Sequence, residues 1–295
     1  MIRTAKALLM GAAIATASVA GFAGSSVAAD KEINIGWTAW SDAEAVTKMA
    51  KKLIEENYDG YEVKLTLADI AVQYQGVAKG DLDMMMMAWL PGTHGDYMEK
   101  VAGDVIDLGP IYTGAKLGWV VPAYVPGDQL SSIADLKKDA VKEKLDGKIQ
   151  GIDPGAGLMR LSSEAVDKYD LDDYELVSAS GAAMTAALER AVKRNEWIVV
   201  TGWSPHWMFG AHKLRYLTDP EGALGGQERV HVIAREGFYQ DNPEVGAFLA
   251  RMYLPLDELQ ALMYDAQETS YEKAIDKYIE ANPKRIDYWL TGKMG

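Results

Sequence analysis

Two hydrophobic periods alternate along this 295-residue chain, which constrains its fold more than any single motif does. Val46, Met49, Ala50, Leu53 and Ile54 recur at helical spacing, as do Met184, Ala187, Leu188, Ala191 and Val192, and later Tyr271, Ala274, Ile275, Tyr278 and Ile279. That spacing predicts three amphipathic helices. Between the first two lie Val63, Leu65 and Leu67 alternating with polar residues, the apolar run Met84 to Ala88, and Trp119-Val120-Val121. Each is short enough for a strand. Such interleaving points to α/β layering. A first series covers about 30 to 120, a second runs from about Lys148 to Tyr216, and Val245, Phe248, Leu249 and Met252 open a helical tail. The order predicts two α/β lobes under a helical cover, joined by extended segments near Gly118 to Tyr124 and Arg229 to Arg235. One lobe would hold residues 30–121 and 230–295, the other 122–229. Ser132 to Asp135 has the pattern of a capping box at a helix start.

Residues 1–29 carry Arg3 and Lys6, then an apolar stretch from about Ala7 to Phe22, then small residues up to Ala28 and Ala29. This is the pattern of a secretory signal cleaved after Ala28 or Ala29. A membrane anchor is the weaker reading, because Gly11, Thr16 and Ser18 interrupt a short apolar stretch. An exported chain without cysteine has no disulfide, so its fold must rest on core burial, which this length permits. It also lacks a thiol for lipid attachment, thiolate metal binding or thiol catalysis, which favours a freely diffusing periplasmic protein. A formal charge of −13, deepened when Arg3 and Lys6 leave with the signal, repels nucleic acid and anionic lipid.

Four predicted strands run directly into unusual groups. Ile33 to Gly36 leads to Trp37-Thr38-Ala39-Trp40, Met84 to Ala88 to Trp89-Leu90-Pro91, Ile198 to Gly202 to Trp203-Ser204-Pro205, and Ile149 to Ile152 to Asp153-Pro154-Gly155-Ala156-Gly157. In open α/β sheets, ligands bind outside the carboxyl ends of strands. A proline two residues after Trp89 and Trp203 stops each strand and leaves the indole at a sheet edge. Any one of these tryptophans taken alone reads better as a packing residue, since tryptophan is usually well buried. Three at equivalent strand ends favour a shared aromatic site. An aromatic box holds a quaternary ammonium by cation–π attraction, and a sugar stacking on indole is the rival. Gly155 to Met159 weighs towards a charged ligand, because it opens a helix with the stripe Leu158, Leu161, Ala165 and Tyr169, and helix N-terminal amides bind anions.

Other chemistries find less support. His206, His212 and His231 have no metal-ligand spacing. Met84 to Met87 alternate faces along a strand and cannot converge on one ion. No G-x-S-x-G motif occurs, and Ser204 precedes a proline. No metal, cofactor or enzymatic activity is expected.

The phrases GIDPGAGLM (151–159), SASGAAMTAAL (178–188), TGWSPHWMF (201–209), KLRYLTDP (213–220), AWLPGTH (88–94) and TGAKLGWVVP (113–122) together resemble those of the substrate-binding proteins of glycine betaine ABC transporters. The resemblance covers nearly all of the chain beyond the signal. It implies a type II-like, two-lobed periplasmic binding protein, with its ligand cleft between the lobes and a hinge of two crossing segments. It also implies a monomer that takes glycine betaine or a similar zwitterion and hands it to a membrane permease. Carried over, it gives Trp40, Trp89 and Trp203 as an ammonium cage, and the Gly157 and Leu158 amides with His94 as donors to the carboxylate. Trp37 would support the cage and Trp207 would pack. Some family members carry the halves in reverse order and are lipoproteins; here the GWTAW half comes first. The alternatives are a choline or trimethylamine N-oxide binder, and, from another class, a periplasmic enzyme acting on quaternary amines.

Overall fold

A computed structural model describes residues 31–294, so the expected signal segment, 1–29, lies outside the described residues. The first half opens as β1 (Lys31–Trp37), α1 (Ser41–Asn57), β2 (Tyr61–Leu67), α2 (Ile70–Lys79), β3 (Met84–Leu90), α3 (Gly95–Val101) and the long β4 (Val105–Pro122). A 3-10 turn (Ile133–Lys137) and α4 (Asp139–Leu145) lead to a second unit, β5 (Lys148–Gln150), α5 (Gly157–Lys168), β6 (Glu175–Val177), α6 (Gly181–Arg194) and β7 (Val200–Ser204). Then follow α7 (Met208–Ala211), β8 (Leu214–Tyr216), β9 (Gln227–Arg235), α8 (Phe238–Asp241), α9 (Pro243–Arg251), α10 (Leu256–Glu268), α11 (Tyr271–Ala281) and α12 (Pro283–Thr291). The three helices predicted from periodicity are α1, α6 and α11. The capping box is present at Ser132 and Asp135 and opens the 3-10 turn.

The strand order is β2-β1-β3-β9-β4-β7-β5-β6, with β8 added to β4. β1 pairs in parallel with β2 and β3, and β5 in parallel with β6 and β7, so the same β-α-β-α-β unit occurs twice. Between the two units run β9 and β4, antiparallel to each other and to their outer neighbours. β4 changes partner at Lys116, which pairs with Gln227 of β9 and with Ser204 of β7. Both expected connecting segments overlap these strands. Trp119, Ile133, Leu136, Ile149, Tyr169 and Val199 form a core under the second unit, while the larger core of the first unit and the C-terminal helices continues into Ile152, Leu158, Met184, Leu188 and Trp203 of the second.

In each unit the chain leaves its first strand to one side and its third strand lies on the other, so β1 and β3, and likewise β5 and β7, flank a topological switch point. Ligand crevices form at such points, outside the carboxyl strand ends. The two units bring these ends to face each other.

Candidate functional site

β1 ends at Trp37, and a tight turn closed by the Trp40 N–H on the Thr38 carbonyl (2.7 Å) brings Trp40 to the start of α1. Trp89 lies near the end of β3, and Trp203 near the end of β7, where it pairs with Leu117 of β4. The Leu90–Pro91 and Ser204–Pro205 bonds that follow are both cis. Despite their positions at strand ends, all three indoles are buried. They line one small cavity, and His94, Gly157 and Leu158 line the same cavity. All six residues singled out from the sequence therefore meet. Trp37 is not in the lining, and Trp207 lines a neighbouring groove beside His206 and Tyr271.

The polar end of the cavity is built by close approach. α5 begins at Gly157 with no side-chain cap, and the first amides of a helix lack intrahelical acceptors. A Cβ on Gly157 would fall 2.6 Å from the Thr93 carbonyl oxygen and 3.0 Å from His94 Cδ2, so only glycine lets the helix start rest on this loop. His94 is buried, and burial lowers its pKa to about 3, which leaves the imidazole neutral. Its Nδ1 lies 3.1 Å from both the Trp89 N–H and the Met87 carbonyl. A neutral ring nitrogen can accept from the first or donate to the second, not both. The tautomer with Nδ1 accepting leaves an Nε2–H donor.

Several residues around the site had no assigned role in the sequence. Thr93, Leu117, Ile152 and Ala156 complete the lining. Asp42, in the first turn of α1, is fully buried and accepts Trp203 Nε1–H at 3.1 Å and Tyr112 Oη–H at 2.7 Å. Burial raises its pKa to about 6, with the two donated bonds acting against that rise. A helical reading places Asp42 on the face of Val46, Met49 and Leu53, and a carboxylate on an apolar face is a signal the sequence did carry. Asp153 accepts Trp40 Nε1–H at 3.1 Å. Glu228, at the start of β9, accepts the N–H and hydroxyl of Thr93 at 2.9 and 2.6 Å, which ties the His94 loop to a crossing strand. No period or motif marks Glu228.

The cavity thus has an indole-walled end and an end of backbone amides beside a neutral histidine. Indole faces attract a soft cation, while amides at a helix start attract an anion. No carboxylate is among the lining residues, which leaves cation attraction at the wall to the rings. A small molecule carrying both charges would complement both ends.

Residues 31–281 match the family model of the substrate binding domain of ABC-type glycine betaine transport systems. Over 161 residues the chain is 37% identical to a glycine betaine/carnitine transport binding protein of Listeria monocytogenes, a match spanning 54% of this chain and 53%, about half, of that relative. It is 24% identical over 269 residues to a glycine betaine/proline betaine-binding periplasmic protein of Salmonella typhimurium, covering 78% of this chain and 81% of the other. The fold is similar to that of a lactococcal glycine betaine-binding protein solved in its closed, liganded conformation with glycine betaine (38% identity, TM-score 0.81, 89% of this chain and 100% of that one). It is also similar to that of a choline binding protein solved with choline (29% identity, TM-score 0.80, 88% and 92%). With the family model matched across both halves, the chain belongs to the substrate-binding domains of ABC-type glycine betaine transport systems.

Proposed function

We propose that this protein binds glycine betaine or a close zwitterion such as proline betaine, carnitine or dimethylsulfoniopropionate in the periplasm, and delivers it as a monomer to the permease of an ABC importer. The observation that carries this reading is the convergence of Trp40, Trp89, Trp203, His94, Gly157 and Leu158 on one small cavity. The trimethylammonium group sits among the three indoles. The carboxylate takes the Gly157 and Leu158 amides and His94 Nε2–H. The role is capture and release, without chemical conversion of the ligand. The two lobes are residues 30–121 with 230–295 and residues 122–229, a division supported by the crossing of β4 and β9 between the repeated units.

Choline offers the same methylated nitrogen but no carboxylate, so it would leave the donors of the polar end unpaired in a closed site. A buried donor without a partner costs about 1–3 kcal/mol, so choline should bind at least ~100-fold more weakly than glycine betaine. Calorimetric titration with betaine, proline betaine, carnitine, choline and trimethylamine N-oxide tests this. His94→Ala should weaken betaine while leaving choline nearly unchanged. Equal affinity for choline and betaine in the wild type would remove the carboxylate pocket from this reading. Mass spectrometry of betaine recovered after incubation should show it unaltered; a product would favour the enzyme.

A further inference from the structure

The hydrogen bonds of two cage indoles run in opposite directions between the two halves. Trp40, after β1, donates Nε1–H to Asp153 Oδ2 in the turn after β5, at 3.1 Å. Trp203, on β7, donates Nε1–H to Asp42 Oδ1 at the start of α1, also at 3.1 Å. Tyr112 of β4 donates to the other oxygen of Asp42 at 2.7 Å and so fixes that carboxylate from the side of its own unit. Neither aspartate lines the cavity. An indole has a single polar hydrogen, so its partner sets the rotation of the ring. Each of these hydrogens meets its carboxylate only while the two halves are together.

We propose that Asp42 and Asp153 are positioning residues, each orienting the tryptophan supplied by the opposite half, so that assembling the cage and closing the cleft are one event. The proposal deepens the reading of the cavity as a site for a carboxylated quaternary ammonium. It adds that two side chains out of contact with the ligand govern how long the ligand stays. A ligand first meets separated halves, where neither bond exists, so the association rate does not depend on them. Dissociation requires both to break.

Stopped-flow indole fluorescence with glycine betaine tests this. Asp42→Ala and Asp153→Ala should each raise koff about tenfold, the loss expected for one charge-assisted bond, and leave kon within about twofold. Asn at either position keeps an acceptor oxygen and should restore most of the residence time. Phenylalanine in place of the paired tryptophan keeps a ring face without the N–H. The double variants Trp203→Phe/Asp42→Ala and Trp40→Phe/Asp153→Ala should therefore be no worse than the worse single variant of each pair. Additive costs, or a fall in kon at unchanged koff, would overturn the proposal. Asp153 lies in a half-exposed turn, so its variants carry the test if removing the buried Asp42 prevents folding. If the wild type bound no betaine in calorimetry, the functional reading would fall, and the positioning role would be decided with choline, which meets the same three indoles. The Trp40 and Trp203 indole protons of the choline-loaded chain, followed by nuclear magnetic resonance, should exchange slowly and speed up at least about tenfold in the matching Asp→Ala variant, since exchange follows loss of a buried bond. Equal exchange rates, or no binding of choline either, would overturn it.

Discussion

Burial acts on three ionisable side chains near the cleft, and it acts on them in opposite senses. His94 and His206 are both lowered from 6.5 to about 3, first by burial, so the folded chain holds them neutral. The stability this confers is complete above 6.5 and is lost as pH falls towards 3, because the unfolded chain gains protons the folded chain refuses. Asp42 is raised from 3.8 to about 6, so its contribution is complete below 3.8 and is lost as pH rises through 6. Between pH 6 and 4 the aspartate therefore opposes the histidines. Asp42→Asn removes that opposition while keeping an acceptor for Trp203. Denaturant unfolding measured from pH 4 to 6 should show stability falling more steeply on acidification in Asp42→Asn than in the wild type, by about one proton in slope. Parallel slopes would mean that Asp42 does not titrate in this window.

At the scale of elements, the start of α5 is packed tightly against the His94 loop. Gly155 and Gly157 belong to one turn, yet a Cβ on Gly155 meets nothing within 4 Å, while one on Gly157 meets Thr93 and His94. Gly157→Ala should push the helix start off the His94 loop and weaken betaine binding at least ~tenfold, the scale of one lost charge-assisted bond, with Gly155→Ala close to wild type. Calorimetry on the pair checks this, and equal affinities would detach the helix start from the ligand. That α5 begins at this turn was legible, because the glycines precede a clear apolar stripe. The extent of β4 was not. Only Trp119 to Val121 reads as a strand, since Gly109, Pro110 and Gly114 interrupt the earlier residues, where register shifts against β9 accommodate them. Irregular strands of this kind are specified by a neighbour, and local alternation misses them.

Across the whole molecule, the six lining residues singled out from the sequence were legible in two ways: the three tryptophans and the Gly157-Leu158 helix start stand at strand or helix ends that local pattern marks, whereas His94 came only from the family resemblance. Their supports were not: Asp153 is 113 positions from Trp40, Asp42 is 161 from Trp203, and Glu228 is 135 from Thr93. The first two pairings depend on the halves meeting and the third on β9 returning beside β3, which no local period reports. More bonds join the halves beside them: Arg160 Nη2 donates to the Thr93 carbonyl at 3.2 Å, and Tyr97 Oη donates to the Gly155 carbonyl at 3.4 Å. Among the described residues, β4 and β9 are the strands that run between the halves, and Gly114 in β4 and Gly225 just before β9 both adopt positive φ close to the crossing at Lys116 and Gln227. A ligand touching both halves shifts the population towards closure by the contacts it makes only there. Small-angle scattering should therefore give a smaller radius of gyration with saturating glycine betaine than without, approaching the ~18 Å that scaling assigns to a compact chain spanning residues 31–294. Arg160 is not itself a lining residue, and Arg160→Ala loses one cross-cleft donor, to the Thr93 carbonyl. It should need more betaine to reach the same compact value. Identical scattering curves with and without ligand would mean that the halves do not part, and the site would then have to fill by a route other than opening of the cleft.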